Sequence, residues 1–194
     1  MVETKKDSTV TVTETTVTQA DGSSVKTENM PDGTVVETKK DSSGKVTETT
    51  ATQPDGSLVK TENKPDGSVV ETKKDNSGKV TETTVTQSDG TSVKTENKSD
   101  GSTVITKTGT NGKASEITSI AADGSKTVIV YNPDGTIRVT KYDPDGKVIK
   151  DKNTDNSTAP YTGDNSNMIL WLVLLFVSGG IVLTLGSKRK KSVQ

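Results

Sequence analysis

Three groups of residues in this sequence have types and spacings that could do chemistry. The first is a set of carboxylates and amines that recur every 34 positions: Glu14, Glu48 and Glu82, with Lys39 and Lys73. A carboxylate beside an amine can move protons, but a catalytic pair is a single asymmetric constellation in a pocket. A pair copied along the chain is what a solvated strand face produces, so no enzyme is expected. The second group is Tyr142-Asp143-Pro144-Asp145-Gly146, whose alternating carboxylates suggest calcium. Calcium needs roughly six to eight converging oxygens, whereas one Asp per tight turn is explained by turn chemistry. The third group is Ala159-Pro160-Tyr161-Thr162-Gly163, a small Pro-x-Thr-Gly motif just before a run of uncharged residues. The chain has no Cys and no His, which removes thiol chemistry, His-based catalysis and the usual zinc sites. No metal ligands and no cofactor are expected.

The elements that must position these residues follow from composition. Of 194 residues only 27% are hydrophobic, and many of those lie in the last thirty. The body before them has mainly isolated Val and cannot bury a large core, so backbone pairing must supply its stability. The net charge is −1, with Lys188, Arg189, Lys190 and Lys191 carrying +4 and the other residues −5. No basic patch carries interleaved aromatics, so nucleic acid is not an expected partner.

The body is a repeat. VETKK occurs at 2–6, 36–40 and 70–74, and VKTEN at 25–29, 59–63 and 93–97, both with a period of 34. Residues 35–68 and 69–102 match at 28 of 34 positions. Within each unit a Gly follows Asp, Asn or Ser at spacings of 11, 11 and 12, from Gly22 to Gly146. Several of these sites read x-P-D-G, as at Pro54-Asp55-Gly56. Pro presets the first corner of a type I turn, Asp suits the second, and Gly takes the left-handed position after it, which closes a three-residue hairpin with a bulge. Every third turn, such as Asp41-Ser42-Ser43-Gly44, reads as one residue longer, which accounts for the 12. Val10 stands where Gly44 would align, so the first hairpin is not expected to close in the same way.

Between turns lie about eight residues rich in Thr and Val, which favour strands. Neither face of 34–40 is apolar: Thr34, Val36, Thr38 and Lys40 alternate with Val35, Glu37 and Lys39. The fold class expected for 1–150 is therefore all-β, an antiparallel hairpin meander wet on both sides and held by cross-strand Thr–Thr and Lys–Glu pairs. A three-sided β-solenoid with one coil per unit is the rival, and a disordered Thr-rich stalk is the third reading. Apolar residues concentrate in 103–150, so order should be best there. Residues 151–158 read as a polar linker.

The body resembles the Asp-Gly and Tyr-Asp hairpin repeats of bacterial surface and toxin-associated proteins, most closely in VTKYDPDGKVIK at 139–150. That resemblance covers about 150 residues and rests on a short motif.

The C-terminal segment is of a different kind. Residues 168–186, MILWLVLLFVSGGIVLTLG, hold no charge, and as a helix they span about 28 Å, close to the hydrocarbon thickness of a bilayer. A transmembrane helix is expected, with Trp171 at the interface and Lys188, Arg189, Lys190 and Lys191 retaining the tail at 187–194 on the cytoplasmic side. The motif at 159–163, the apolar segment and the basic tail, in that order, resemble the Leu-Pro-x-Thr-Gly cell-wall sorting signal of Gram-positive surface proteins. The resemblance implies a partner, a membrane-bound sortase, whose thiolate attacks the Thr162 carbonyl and cuts before Gly163. It also implies covalent attachment to peptidoglycan through Thr162, with the membrane as a partner before processing. Ala159 stands where the family has Leu, and the lost carbons are worth about 2 kcal/mol in a buried pocket, which points to a sortase with a smaller first pocket or to inefficient anchoring.

The expectation is a surface-exposed stalk or an adhesin-like repeat protein of the cell wall, its ligand unidentified. The alternatives are a single-pass membrane-anchored repeat protein and a calcium-binding one. MVETKKDSTV contains no apolar leader, and the repeat enters in mid-rhythm, which suggests a chain that extends N-terminally.

Overall fold

The computed structural model describes residues 1–8 and 12–154, and the expected linker beyond 154, sorting motif, membrane segment and basic tail lie outside the described residues. Fourteen strands follow one another: β1 (Val2–Lys6), β2 (Val12–Thr18), β3 (Ser24–Asn29), β4 (Val35–Lys40), β5 (Val46–Thr52), β6 (Leu58–Asn63) and β7 (Val69–Lys74). They continue as β8 (Val80–Thr86), β9 (Ser92–Asn97), β10 (Thr103–Thr108), β11 (Ala114–Ile120), β12 (Lys126–Tyr131), β13 (Ile137–Tyr142) and β14 (Val148–Thr154). All fourteen form one sheet in chain order, β1 to β14, with each strand antiparallel to the next. This is the meander. A three-sided solenoid would pair strands 34 residues apart in parallel, and among the described residues every pairing is instead between chain neighbours.

The strands are five to seven residues long rather than about eight, because the turn consumes more of the repeat. At Gln53-Pro54-Asp55-Gly56-Ser57, the Gly56 amide donates to the Gln53 carbonyl at 2.9 Å, and the Gln53 amide donates to the Ser57 carbonyl at 2.8 Å. The first bond closes a type I turn and the second closes the bulge that follows it. Gly56 sits at φ +88°, where a side chain is strained. Asp55 braces the corner by accepting from the Ser57 amide and hydroxyl at 2.8 and 2.7 Å.

The longer every-third turn expected from the Gly spacing is not found. Asp41 to Lys45 closes with the same two bonds, both at 3.0 Å. The extra residue lies in the strand: Lys39 faces Glu48 and Lys40 faces Val46, so Thr47 is a β-bulge. Its hydroxyl donates back to the Lys39 carbonyl at 3.3 Å. Thr13, Thr81 and Ser115 repeat this bond to Lys5, Lys73 and Lys107. In this turn the bracing Asp moves to the first position, where Asp41 accepts from the amides of Ser43 and Lys45.

β1 and β2 pair although Val10 stands where the next units have Gly. β1 pairs with β2 in the register of β4 with β5, bulge included, and Lys5 meets Glu14 at 2.8 Å. At its other end β14 continues to Thr154, four residues into the stretch read as linker. Asp151 lies opposite Thr140 and takes the Arg138 guanidinium in a forked pair at 2.6 and 3.1 Å, which extends the pairing.

Asn63 ties each unit internally, donating across to the Val46 carbonyl at 3.2 Å, as do Asn29 to Val12 and Asn97 to Val80. Burial is greatest where apolar residues concentrate. Val104, Ile117 and Ile129 are the buried hydrophobics among the described residues, and Ile129 is 2% exposed. Ile117 and Ile129 are register partners on β11 and β12, covered by side chains of flanking strands rather than by a second layer.

Candidate functional site

Residues directly opposite one another in an antiparallel pair project from the same face. Register followed from strand to strand therefore assigns every side chain to a face. One row runs Lys5, Glu14, Glu28, then Val36, Ala51, Val59, then Lys73, Glu82, Glu96. The matching row on the opposite face runs Val2, Val17, Val25, then Lys39, Glu48, Glu62, then Val70, Val85, Val93. Charged and apolar triplets thus alternate along each face, and the two faces are out of step. The cause is the count of three strands per unit. An odd number reverses the direction of the next unit and turns it over.

The charged triplets are centred on the glutamates singled out by their 34-residue recurrence. Glu48 spreads its two oxygens between two lysines, Lys39 at 2.8 Å and Lys60 at 2.7 Å. Glu82 does the same with Lys73 and Lys94, both at 2.8 Å, and Glu14 with Lys5 at 2.8 Å and Lys26 at 3.0 Å. Lys60 and Lys94 reach on to Glu62 and Glu96 at 3.4 and 3.5 Å. The structure brings the recurrent Glu and Lys together as expected of a strand face. The third member, Lys26, Lys60 or Lys94, was missed, although VKTEN recurs with the same period. Its diagonal position needs the register, which the sequence does not spell out.

These contacts set the titration of the ladder. Hydrogen bonds from Lys39 and then Lys60 hold the Glu48 carboxyl below its ordinary value, and those from Lys73 and Lys94 do so for Glu82. In return Glu48 raises Lys39 above its ordinary value, and Glu82 raises Lys73. Both shifts fix the charged forms. A lysine nucleophile or base needs the opposite shift, and so does a carboxylate acting as a proton donor. The arrangement is suited to joining strands.

The turns form the second array. Successive turns on one edge lie close together: a Cβ built on Gly33 would meet Pro54 Cγ at 3.1 Å, and one on Gly67 would meet Ser88 Cβ at 3.3 Å. Each turn Asp spends an oxygen on its own loop. The Ser57 hydroxyl and amide hold Asp55 below its ordinary value, and those of Ser68 hold Asp66. Among the described residues no three acidic groups converge as a metal site would need. In the stretch read for calcium, Asp143 accepts from the Lys147 amide at 2.8 Å.

Ala159, Pro160, Tyr161, Thr162, Gly163, Lys188, Arg189, Lys190 and Lys191 lie outside the described residues. No helix among the described residues is long and apolar enough to cross a membrane. No protein-family model matches the chain, and a search of curated proteins finds no relative.

Proposed function

We propose that the chain is a surface stalk, joined to peptidoglycan by a sortase that cuts between Thr162 and Gly163. The observation that carries this reading is the strand order. Because every strand pairs with its chain neighbours, length grows in proportion to the number of repeats. Thirteen strand-to-strand steps of about 4.8 Å give roughly 60 Å from β1 to β14. A one-layer sheet with ion-paired faces and without an enclosed core serves reach. The sequence Ala159-Pro160-Tyr161-Thr162-Gly163, followed by the uncharged 168–186 and the basic cluster 188–191, supplies the attachment chemistry. In that chemistry a sortase thiolate displaces the Gly163 amine from the Thr162 carbonyl, and an amine of the wall precursor then displaces the thiolate. Thr162 ends in a new amide.

The test is mass spectrometry of muralytic digests from a Gram-positive host expressing the chain with an export leader. The expected product is a C-terminal peptide ending at Thr162 and joined to a wall stem peptide. Changing Thr162 or Gly163 should leave the protein in the membrane fraction. Intact chain reaching Gln194 in membranes, with none in the wall, would replace sortase anchoring by a plain membrane anchor.

A further inference from the structure

β1 is the outermost described strand at one edge of the sheet, and its sequence has two copies inside. VETKK of β1 recurs at 36–40 in β4 and at 70–74 in β7, where the equivalent edges are covered by β3 and β6. All five residues of β1 are exposed. Which of its backbone groups point outward follows from its inner side. The Met1 ammonium donates to the Thr18 carbonyl and the Thr18 amide to the Met1 carbonyl, both at 2.8 Å. Backbone groups alternate along a strand, so those of Glu3 and Lys5 also turn toward β2, and those of Val2, Thr4 and Lys6 turn outward. Lys5 already holds Glu14 at 2.8 Å, with 72% of its side chain still exposed.

We propose that this edge pairs with the same edge of a second copy, antiparallel, about a two-fold axis at Thr4. In that register Thr4 faces Thr4, Val2 faces Lys6, and Glu3 faces Lys5 on both sides of the axis. Val2, Thr4 and Lys6 carry the outward groups, so their opposed pairs form about six backbone bonds. Glu3 and Lys5 fall at the unbonded positions, where facing side chains come closest. Each Lys5 then stands between Glu14 of its own sheet and Glu3 of the other. The sheet joins β4 to β5 with the same kinds of pair, Thr38 facing Thr49 and Lys39 facing Glu48. Edge lysines ordinarily deter pairing, but this two-fold gives each Lys5 a carboxylate. A second copy's β1 is favoured over its VKTEN strands, because β3, β6 and β9 are already paired on both sides. The contact uses one patch on both partners and closes at two copies. Two fourteen-strand sheets joined this way put their β14 strands at opposite ends, 27 steps of about 4.8 Å, or roughly 130 Å, apart. Chains anchored as proposed above would thereby be linked from facing surfaces. That link rests on the anchoring reading, and the pairing itself does not.

The experiment uses the full chain in detergent, its mass read by light scattering, and single Cys variants, which have no background because the chain has no Cys. Twice the 20.4 kDa chain mass is expected. Glu3→Lys and Lys5→Glu should each weaken the dimer about tenfold, and a 1:1 mixture of the two should recover it. Register is read by oxidation. Thr4→Cys should link to itself, since facing Cα atoms about 5.5 Å apart suit a disulfide. Glu3→Cys and Lys5→Cys should not, because each sits on a diagonal of about 7–8 Å from its own copy. Ser88→Cys, in a distant turn, measures chance collision. A monomer, or a dimer unchanged in both charge variants with Thr4→Cys linking no faster than Ser88→Cys, would overturn the pairing. So would oligomers larger than two, which would point to head-to-tail growth. A monomer that takes up the peptide 23–30, SSVKTENM, would give the edge to a VKTEN strand instead of a second copy. The muralytic digest reads anchoring separately. A chain that dimerises through Thr4 but never joins the wall keeps the pairing and loses only the link between surfaces.

Discussion

Thr47 Oγ1 donates to the carbonyl oxygen of Lys39 at 3.3 Å, from a bulge that puts one unpaired residue beside the Lys39–Glu48 ion pair. The same bond recurs one unit on, between Thr81 and Lys73. A residue that breaks the ladder is thus tied back to it, next to the charged centre of the triplet. Thr47→Val removes the donor and keeps the shape. The expected loss is about 1 kcal/mol, read as a lower urea midpoint with an unchanged slope. An unaltered midpoint would mean that the bulge needs no anchor.

Glu82 is 16% exposed and holds two lysines, while Glu71 is 41% exposed and touches one at 3.5 Å. Glu82→Gln should cost up to about 1 kcal/mol at low salt, and less as salt rises, since screening acts over about 10 Å at 0.1 M. Glu71→Gln should leave the unfolding midpoint within error. Equal effects would show that the ladder gains nothing from its central carboxylates.

Acid should weaken the sheet. Glu14, Glu48 and Glu82 are held below their ordinary values by lysine hydrogen bonds, and Asp21, Asp55, Asp66 and Asp75 by the hydroxyls of their own turns. The unfolded chain binds these protons first, near its ordinary carboxylate range of about 4, and the folded chain binds them later. The stabilisation is therefore complete above that range and is lost as pH falls through the depressed folded values. Urea midpoints should be level near neutrality and decline below about pH 4. A midpoint that holds or rises in acid would contradict the ion-pair account.

Gly33 and Gly44 both adopt positive φ, at +86° and +82°, but their surroundings differ. A Cβ on Gly33 would lie 3.1 Å from Pro54 Cγ, and one on Gly44 would meet nothing within 4 Å. Both Ala substitutions should cost about 1–2 kcal/mol for the left-handed backbone, with Gly33→Ala the larger. Thermal unfolding of the two variants orders them. The reverse order would mean that neighbouring turns give way freely.

Ile129 is the most buried hydrophobic side chain among the described residues. Ile129→Ala should cost about 2–4 kcal/mol, and its amide should exchange more slowly than that of Val36. A cost below about 1 kcal/mol would place the stability of β10–β13 in the backbone ladder alone.

The turns were legible because Pro, Asp and Gly each have one local job, and Gln53 to Ser57 folds as that chemistry dictates. The spacing of 12 was legible as an extra residue but not as its place. Gly44 marks where the turn ends, and nothing in the composition distinguishes a longer loop from a bulge at Thr47 three residues later. Register was harder still. Lys39 facing Glu48 depends on the turn between them and on the bulge at Thr47, and Lys60 meets Glu48 across a diagonal set by the next turn. The sorting motif is the converse case. Ala159 to Gly163 is read from the order of residues along the chain, without reference to the sheet.

The alternation of faces has a mechanical meaning. A thin plate whose two sides differ in chemistry will warp, because one side contracts against the other. Here each three-strand ply lies beside the previous one and upside down, so the warp of one ply opposes that of the next. A chain with more plies should therefore lengthen without curling, and the radius of gyration should climb linearly when copies of 35–68 are added. Growth that saturates would show that the plies do not cancel.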